Sequence, residues 1–112
     1  MTTIGAVILS YNKAYIWERF WNSLVGQTRP PDQVVIVDDG SDGGTGFLEE
    51  AARVGARIIK TPRLRQSAAR NTGLSYLKTD LVIFLDGDLL LQSNMLGRME
   101  VELDAHPDVS FV

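Results

Sequence analysis

The sequence predicts an α/β fold, in which a largely parallel sheet of four to five strands has helices on both faces. Short apolar runs of strand-forming residues alternate along the chain with segments in which apolar residues recur at the helical period. The run VVIV is apolar at consecutive positions, as expected for a strand covered on both faces. This alternation favours parallel strands joined by right-handed crossovers.

The first half of the chain is predicted to form two strands, each followed by a helix. IGAVILS (4–10) is the first strand, and RPPDQ ends the helix after it, because proline cannot continue a helix. VVIVD (34–38) is the second strand, and a turn-rich loop leads from it to a helix over 47–54 that Gly55 can end in the left-handed conformation. The apolar stripe of the first helix comprises Ile16, Trp17, Phe20, Trp21, Leu24 and Val25.

The second half of the chain continues the alternation. ARIIKT (56–61) is the third strand, SAARNTGLSYLK (67–78) is a helix with Gly73 as its weak point, and LVIFLD (81–86) is the fourth strand. The sequence then predicts a last helix over 94–105.

That last helix has Ser93 as its candidate cap. VSFV (109–112) resembles the opening of a fifth strand. Because a domain normally finishes on a polar turn or a docked helix, this ending suggests a fragment that stops within the fold, with a short terminal strand as the alternative.

Composition limits the class of protein. The chain has 112 residues, 45% hydrophobic and 22% charged, which fits a single soluble domain over residues 1–112. A net charge of −3 and an isoelectric point near 5.0 argue against a general nucleic-acid binder. The absence of cysteine excludes disulfides and thiolate metal sites. The longest apolar runs are too short to span a bilayer, and we expect a cytoplasmic location.

Polar residues collect where three of the predicted strands end. The first strand runs into SYN, the second into DDGSDGG and the fourth into DGD. In open α/β sheets, ligands bind outside the carboxyl ends of the strands, near the point where the strand order switches. The three strand ends therefore predict one site at that edge of the sheet.

The DGD segment is a candidate metal site. Asp86 and Asp88 would share a face of the strand, and Gly87 frees the backbone to turn so that both carboxylates can converge. A divalent cation relieves the repulsion between two carboxylates, and Mg²⁺ and Mn²⁺ prefer such oxygen ligands together with substrate phosphates. The alternative is a surface turn whose acidic side chains are solvated.

The segment VDDGSDGGT and the helix after PRLRQ offer groups for a nucleotide. Asp38 or Asp39 can accept hydrogen bonds from a base N–H or a ribose hydroxyl, although a turn with an Asx cap is an equal alternative. Arg63 and Arg65 are expected to be solvated charges near a helix start. Arg70 lies where a cation opposes the helix dipole, which a bound phosphate or a nearby carboxylate would offset.

Taken in order, these segments resemble the nucleotide-sugar-binding half of family 2 glycosyltransferases, which have the Rossmann-like GT-A fold. VILSYNK is similar to the family's first strand and its Tyr-Asn exit, and SLVGQTRPPDQVVIVDDGSDGGT to the block that contains Asp-Asp-Gly-Ser. SAARNTGL is similar to the Ala-Arg-Asn-x-Gly helix start, and VIFLDGDLLL to the D-x-D strand. The resemblance covers nearly the whole chain.

The resemblance implies a donor site for a nucleoside diphosphate sugar, with a UDP-sugar favoured. Asp39, with Asp38 as a second candidate, would contact the nucleobase. Asn12 would lie near the base or ribose, and Arg70 near the base or diphosphate. TPRLRQS lacks a glycine-containing turn that is common in the family.

The resemblance also implies a bound metal ion, and a general base and an acceptor-binding half outside these residues. Asp86 would meet the ribose or the metal, and Asp88 would ligate Mn²⁺ or Mg²⁺, which assists departure of the nucleoside diphosphate. The general base of inverting members and the acceptor-binding half would both lie beyond Val112. The chain is thus expected to be truncated, inactive alone, and able to form homo-oligomers through an open sheet edge.

Three other functions are alternatives to a glycosyltransferase. The first is a module that binds a nucleotide without transferring a sugar, and it stays open. The second is a phosphatase of the haloacid dehalogenase type, which needs Gly-Thr where Leu89 and Leu90 stand and its motif on the first strand. The third is a receiver domain, whose acidic pair also follows the first strand. Both of these place the acidic residues on a different strand from DGD.

Overall fold

The computed structural model describes residues 2–43 and 46–106, and a four-stranded sheet forms its centre. The strands are β1 (Ile4–Ser10), β2 (Gln33–Asp39), β3 (Arg57–Thr61) and β4 (Leu81–Asp86). Their order is β3-β2-β1-β4, and each neighbouring pair is parallel. The predicted α/β class and parallel sheet are confirmed, whereas the strand expected at 109–112 lies outside the described residues.

Within the described ranges, four α-helices connect or flank the strands. They are α1 (Trp17–Val25), α2 (Glu49–Arg53), α3 (Gln66–Leu74) and α4 (Met95–Ala105). A 3₁₀ turn, Gly46–Leu48, precedes α2, so the helix expected over 47–54 is in two parts. In the described part of the chain, no helix is long and apolar enough to cross a membrane.

The end of α3 differs from the prediction. The helix stops at Leu74 and not at Lys78. The amide of Leu77 donates to the carbonyl of Leu74 at 3.1 Å in a turn, and this turn brings the Leu77 side chain against the sheet. Burial of an apolar side chain therefore ends the helix earlier than its periodicity suggests.

Side chains alternate along the strands and form an apolar layer on each face of the sheet. The layer under α1, α2 and α4 comprises Ala6, Ile8, Trp17, Phe20, Trp21, Leu24, Ile36, Leu48, Ala51, Leu85 and Leu96. The layer under α3 comprises Val7, Leu9, Val35, Val37 and Ala69. The prediction of helices on both faces is confirmed, and the aromatic residues of α1 belong to the core.

Two glycines of the helical layer serve different purposes. Gly55 follows α2 with a φ of 102°, which is the left-handed helix end that the sequence predicts. Gly73, the predicted weak point of α3, faces the sheet, and a Cβ built on it would lie 2.5 Å from Val7 Cγ1 and 3.1 Å from Val37 Cγ2. Its missing side chain lets α3 approach the sheet closely.

The start of α4 is held by Gln27, and the prediction that Ser93 caps this helix is wrong. The cap residue is Asn94, which makes no side-chain capping bond. Gln27, only 5% exposed, accepts a hydrogen bond from the amide of Leu96 at 3.1 Å and donates one to the carbonyl of Gln92 at 2.6 Å. A buried amide at the end of α1 therefore fixes the segment that follows β4.

The strand order reverses beside β1. From β1 the sheet grows through β2 to β3, and the chain then returns through α3 to place β4 on the other side of β1. Leu9 is the register partner of Asp86, so the carboxyl ends of β1 and β4 are adjacent. The crevice outside such a switch point is where open α/β sheets bind ligands.

Candidate functional site

The DGD segment leaves β4 at the switch point and is held there by β1. The amide of Gly87 donates to the carbonyl of Leu9 at 2.9 Å. A Cβ built on Gly87 would lie 3.0 Å from the ring of Trp17, so a larger residue would crowd the aromatic core. The side chains of Asp86 and Asp88 remain 44% and 37% exposed, which leaves both carboxylates accessible to a ligand.

Each of these two carboxylates has a cation beside it. Lys13 Nζ lies 3.0 Å from Asp88 Oδ2, and Arg70 Nη2 lies 3.8 Å from Asp86 Oδ1. The pKa of Lys13 is raised, chiefly by its hydrogen bond to Asp88. Asp86 supplies the carboxylate that the position of Arg70 on the α3 dipole led us to expect.

The donor set fits Mn²⁺ or Mg²⁺ that is shared with a diphosphate. Asp86 and Asp88 offer hard oxygen ligands, and Mg²⁺ usually takes one or two carboxylates together with substrate phosphates. Among the described residues, no group of three or more acidic, histidine or cysteine side chains could hold a metal. The remaining ligands would have to be phosphate oxygens and water.

Asp39, at the end of β2, organises the segment between β3 and α3. Its carboxylate is buried and accepts four hydrogen bonds. The donors are the Thr61 hydroxyl at 2.8 Å, Arg63 Nη1 at 3.2 Å, the Arg65 amide at 2.8 Å and the Leu64 amide. A carboxylate has about four acceptor sites, so these donors fill it. The side chain is thus turned toward this segment.

These hydrogen bonds decide the protonation of Asp39 and the shape of the segment. Burial alone would raise the pKa of Asp39, but the bonds from Leu64, Thr61 and Arg65 outweigh it and lower the pKa below its ordinary value. Arg63 and Arg65 have φ angles of 33° and 73°, which L-residues adopt rarely. The ionised carboxylate stabilises this backbone.

Asn12 and Asp38 join the loop after β1 to the loop after β2. The side-chain oxygen of Asn12 accepts from the amide of Asp42 at 2.9 Å, and its side-chain nitrogen donates to the Asp42 carboxylate at 3.3 Å. The Asn12 amide donates to the Ser41 hydroxyl at 3.0 Å, and that hydroxyl donates to the buried Asp38. Both loops are therefore fixed relative to each other.

The structure brings some of the predicted site residues together and separates others. Asp86 and Arg70 form one group with Asp88 at the switch point. Asp39 lies on the same face of the sheet as Asp86 and contacts the segment before α3, but its side chain is buried. Asp38 follows Ile36 in the alternation along β2 and so belongs to the opposite face.

The contacts of two residues, Lys13 and Arg63, were not predicted from the sequence. Lys13 carries no signal that distinguishes it from a solvated lysine. Arg63 was expected to be solvated, and this is wrong, because its guanidinium lies 3.5 Å from the centroid of the Tyr11 ring and pairs with Asp39 at 3.2 Å. Both contacts join loops that are distant in the sequence, so no local pattern reveals them.

Two buried polar atoms near the switch point have no hydrogen-bond partner among the described residues, namely Ser10 Oγ and Arg70 Nε. An unsatisfied buried polar group costs about 1–3 kcal/mol. Another nitrogen of the same guanidinium, Arg70 Nη2, lies 3.8 Å from Asp86 Oδ1.

Comparison with known proteins gives a family match over most of the chain. The model of the family described as Glycosyl transferase family 2 matches residues 6–112. The chain is 30% identical over 96 residues to the cholesterol galactosyltransferase of Borreliella burgdorferi, a match that covers 83% of this chain and 27% of that protein.

Solved structures with the same fold agree with this match. TarS of S. aureus, residues 1–349 in complex with UDP, superposes with a TM-score of 0.82 at 23% identity, covering 94% of this chain and 33% of that one. The mannosyltransferase PcManGT of Pyrobaculum calidifontis, in complex with GDP-Man and Mn²⁺, gives 0.82 at 23%, covering 91% and 32%. The Rossmann-like GT-A fold is confirmed, and the chain spans about a quarter to a third of the length of these proteins.

Proposed function

The chain belongs to glycosyl transferase family 2, and from this premise we propose that it forms the donor-binding half of a glycosyltransferase. It would hold a nucleoside diphosphate sugar, with a UDP-sugar favoured, together with Mn²⁺ or Mg²⁺. In the full protein, the bond from the sugar to the diphosphate breaks and a bond to an acceptor hydroxyl forms. If the full protein is of the inverting type, the acceptor proton passes to a general base that we expect beyond Val112.

The observation that carries this proposal is the convergence of charged groups at the switch point. Asp86 and Asp88 lie at the end of β4, Arg70 reaches Asp86 from α3, and Lys13 reaches Asp88 from the loop after β1. Accessible carboxylates next to cations suit a ligand that brings both a metal and phosphate oxygens. The UDP of TarS and the GDP-Man and Mn²⁺ of PcManGT support this chemistry.

Two of these side chains would hold the metal. Asp88 would be a direct ligand, and Asp86 would be either a second ligand or a partner of the ribose. When bound, the metal supplies positive charge that stabilises the departing nucleoside diphosphate. Arg70, whose side chain is 36% exposed, would donate a hydrogen bond from its guanidinium to a base or diphosphate oxygen.

The nucleoside would be bound by the loops after β1 and β2. Asn12 would lie near the base or ribose, and Asp39, with Asp38 as a second candidate, would contact the base. Because the Asp39 carboxylate is filled by protein donors, we propose that contact with a base replaces one of them. The bond from Arg63, the longest of the four at 3.2 Å, is the one to be exchanged.

A nucleotide-binding module without transferase activity is the second candidate for the isolated chain. The specific observation is the position of the acidic residues after DGD in the described part of the chain. Glu100 pairs with Arg29 at 3.2 Å, and Glu102 lies 3.8 Å from His106 on α4. Both carboxylates have partners of their own, so neither is proposed as the base.

The donor site is tested by calorimetry of UDP binding with and without Mn²⁺. We expect Mn²⁺ to strengthen UDP binding to the wild-type chain and Asp88→Asn to remove most of that enhancement, because the substitution removes a charged metal ligand. Asp104→Asn, which makes the same charge change at an exposed position of α4, is the matched control and should retain the enhancement.

The outcomes separate the parts of the proposal. UDP binding that does not depend on Mn²⁺ would remove Asp88 as a metal ligand while leaving nucleotide binding in place. The absence of UDP binding at any Mn²⁺ concentration would contradict the preference for UDP, and the absence of GDP binding as well would contradict the donor site as a whole. Transfer of sugar by the isolated chain would contradict the assignment of the general base to a position beyond Val112.

A further inference from the structure

Hydrogen bonds hold the backbone on both sides of Lys13. The preceding residue, Asn12, is clamped to Asp42 through both atoms of its side-chain amide. On the other side, the carbonyl of Lys13 accepts a hydrogen bond from the amide of Ile16 at 3.1 Å. From this held backbone the side chain reaches Asp88, whose Oδ2 lies 3.0 Å from the ammonium.

The Lys13 ammonium takes one of the two Asp88 oxygens that a metal ion could use. Asp88 is one of the two carboxylates proposed to hold the metal, and Lys13 takes one of its oxygens. A divalent cation and an ammonium repel each other at the separation that sharing a carboxylate requires. Binding of a metal ion at Asp88 Oδ2 would therefore displace Lys13.

We propose that Lys13 is the resident counter-ion of Asp88, which it neutralises in the metal-free protein and releases when a divalent cation and a diphosphate bind together. This inference rests on the proposed metal site and adds a positioning residue to it. Lys13 lowers the affinity of the free protein for the metal alone. It thereby makes binding of the metal depend on the nucleotide.

The released ammonium accounts for that dependence. The hydrogen bonds on both sides of Lys13 still hold its backbone, so the released side chain stays near Asp88. A diphosphate attached to the same metal brings negative oxygens into that region, and the ammonium gains a new partner there. Without a diphosphate, the displaced ammonium gains no such partner. The coupling between metal and nucleotide is reciprocal, since each raises the affinity for the other by the same factor.

The test compares Mn²⁺ affinities of the wild-type chain and Lys13→Met, measured by electron paramagnetic resonance with and without UDP. Without UDP, we expect Lys13→Met to bind Mn²⁺ about two- to fivefold more tightly, the factor by which an exposed ion pair stabilises its members. With UDP, we expect the enhancement of Mn²⁺ affinity by the nucleotide to be smaller in Lys13→Met than in the wild type.

Two control variants distinguish the ion pair from general charge and from the side chain's shape. Lys78→Met makes the same charge change at an exposed residue at the amino end of the sheet, and it should match the wild type. Lys13→Arg retains the cation and should also stay close to the wild type. Lys13→Gln repeats the measurement if thermal melting shows that Lys13→Met does not fold.

The results separate this inference from the function on which it rests. Equal or weaker Mn²⁺ binding by Lys13→Met without UDP, in a chain whose wild type binds Mn²⁺, would overturn the role of Lys13 alone. A wild-type chain that binds no Mn²⁺ with or without UDP would overturn the metal site as well. A rise in Mn²⁺ affinity equal in Lys13→Met and Lys78→Met would assign the effect to net charge and also overturn the inference.

Discussion

Asp39 illustrates how one buried carboxylate can shape a binding region. Its four hydrogen bonds hold the segment 61–65 in a backbone conformation that the two arginines there would rarely adopt. The sequence indicated an acid at a strand end, and this much was predictable from the run VVIVDD. The partners were not, because they lie 22 to 26 residues further along the chain.

The pH dependence of stability tests this structural role of Asp39. Its pKa is lower in the folded chain than in the unfolded one, where an aspartate has a pKa of about 3.9. Its contribution is therefore complete above the unfolded value and is lost as the pH falls through the folded value. We expect Asp39→Asn to lower the free energy of unfolding at pH 7 by about 1–3 kcal/mol.

The same variant should lose less stability than the wild type on acidification below about pH 4. Urea unfolding at pH 7 and pH 3 measures both quantities, with Asp104→Asn as the control of equal charge. Asp32 and Asp80 also have lowered pKa values, so every variant will be less stable in acid, and the difference between variants is the informative quantity. Parallel pH profiles of Asp39→Asn and the wild type would contradict the account.

The strands and helices of this chain were predictable to different degrees. Strand bounds agree with the prediction to within one residue, because continuous apolar runs bounded by polar turns leave little choice of register. Helix ends depend on contacts from elsewhere. Leu77 ends α3 by packing on the sheet, and Gln27 at the end of α1 supports the start of α4. No local pattern contains either contact.

Two glycines within helices are expected to respond to alanine in opposite directions. A Cβ on Gly73 would lie 2.5 Å from Val7 Cγ1, so Gly73→Ala should force α3 from the sheet and cost about 1–3 kcal/mol. A Cβ on Gly97 in α4 would come no closer than 3.5 Å to a neighbouring atom. Gly97→Ala should therefore stabilise the chain by about 0.5–1 kcal/mol, the usual gain within a helix.

Chemical denaturation of these two variants provides the measurement, and each serves as the control for the other. A stabilising Gly73→Ala would show that α3 does not pack on β1 and β2 as closely as described. A strongly destabilising Gly97→Ala would place a contact at α4 that the structure does not contain.

At the scale of the whole molecule, topology determines where the site lies. The order β3-β2-β1-β4 puts the carboxyl ends of β1 and β4 side by side, and the polar strand ends predicted from sequence meet there. What topology alone does not determine is which charged side chains pair across the crevice. The outer edges of β3 and β4 have no strand neighbour among the described residues, and formation of homo-oligomers through an open edge stays a prediction.

The central claim is that a metal ion and a nucleoside diphosphate bind where DGD meets the loop after β1. Paramagnetic broadening of backbone amide signals by Mn²⁺ in the presence of UDP locates the metal without any substitution. We predict that broadening is strongest at residues 86–88 and 11–13, and that Gln33 and Lys78, at the other end of the sheet, keep sharp signals. Broadening centred on the acidic residues of α4, with residues 86–88 unaffected, would contradict the claim.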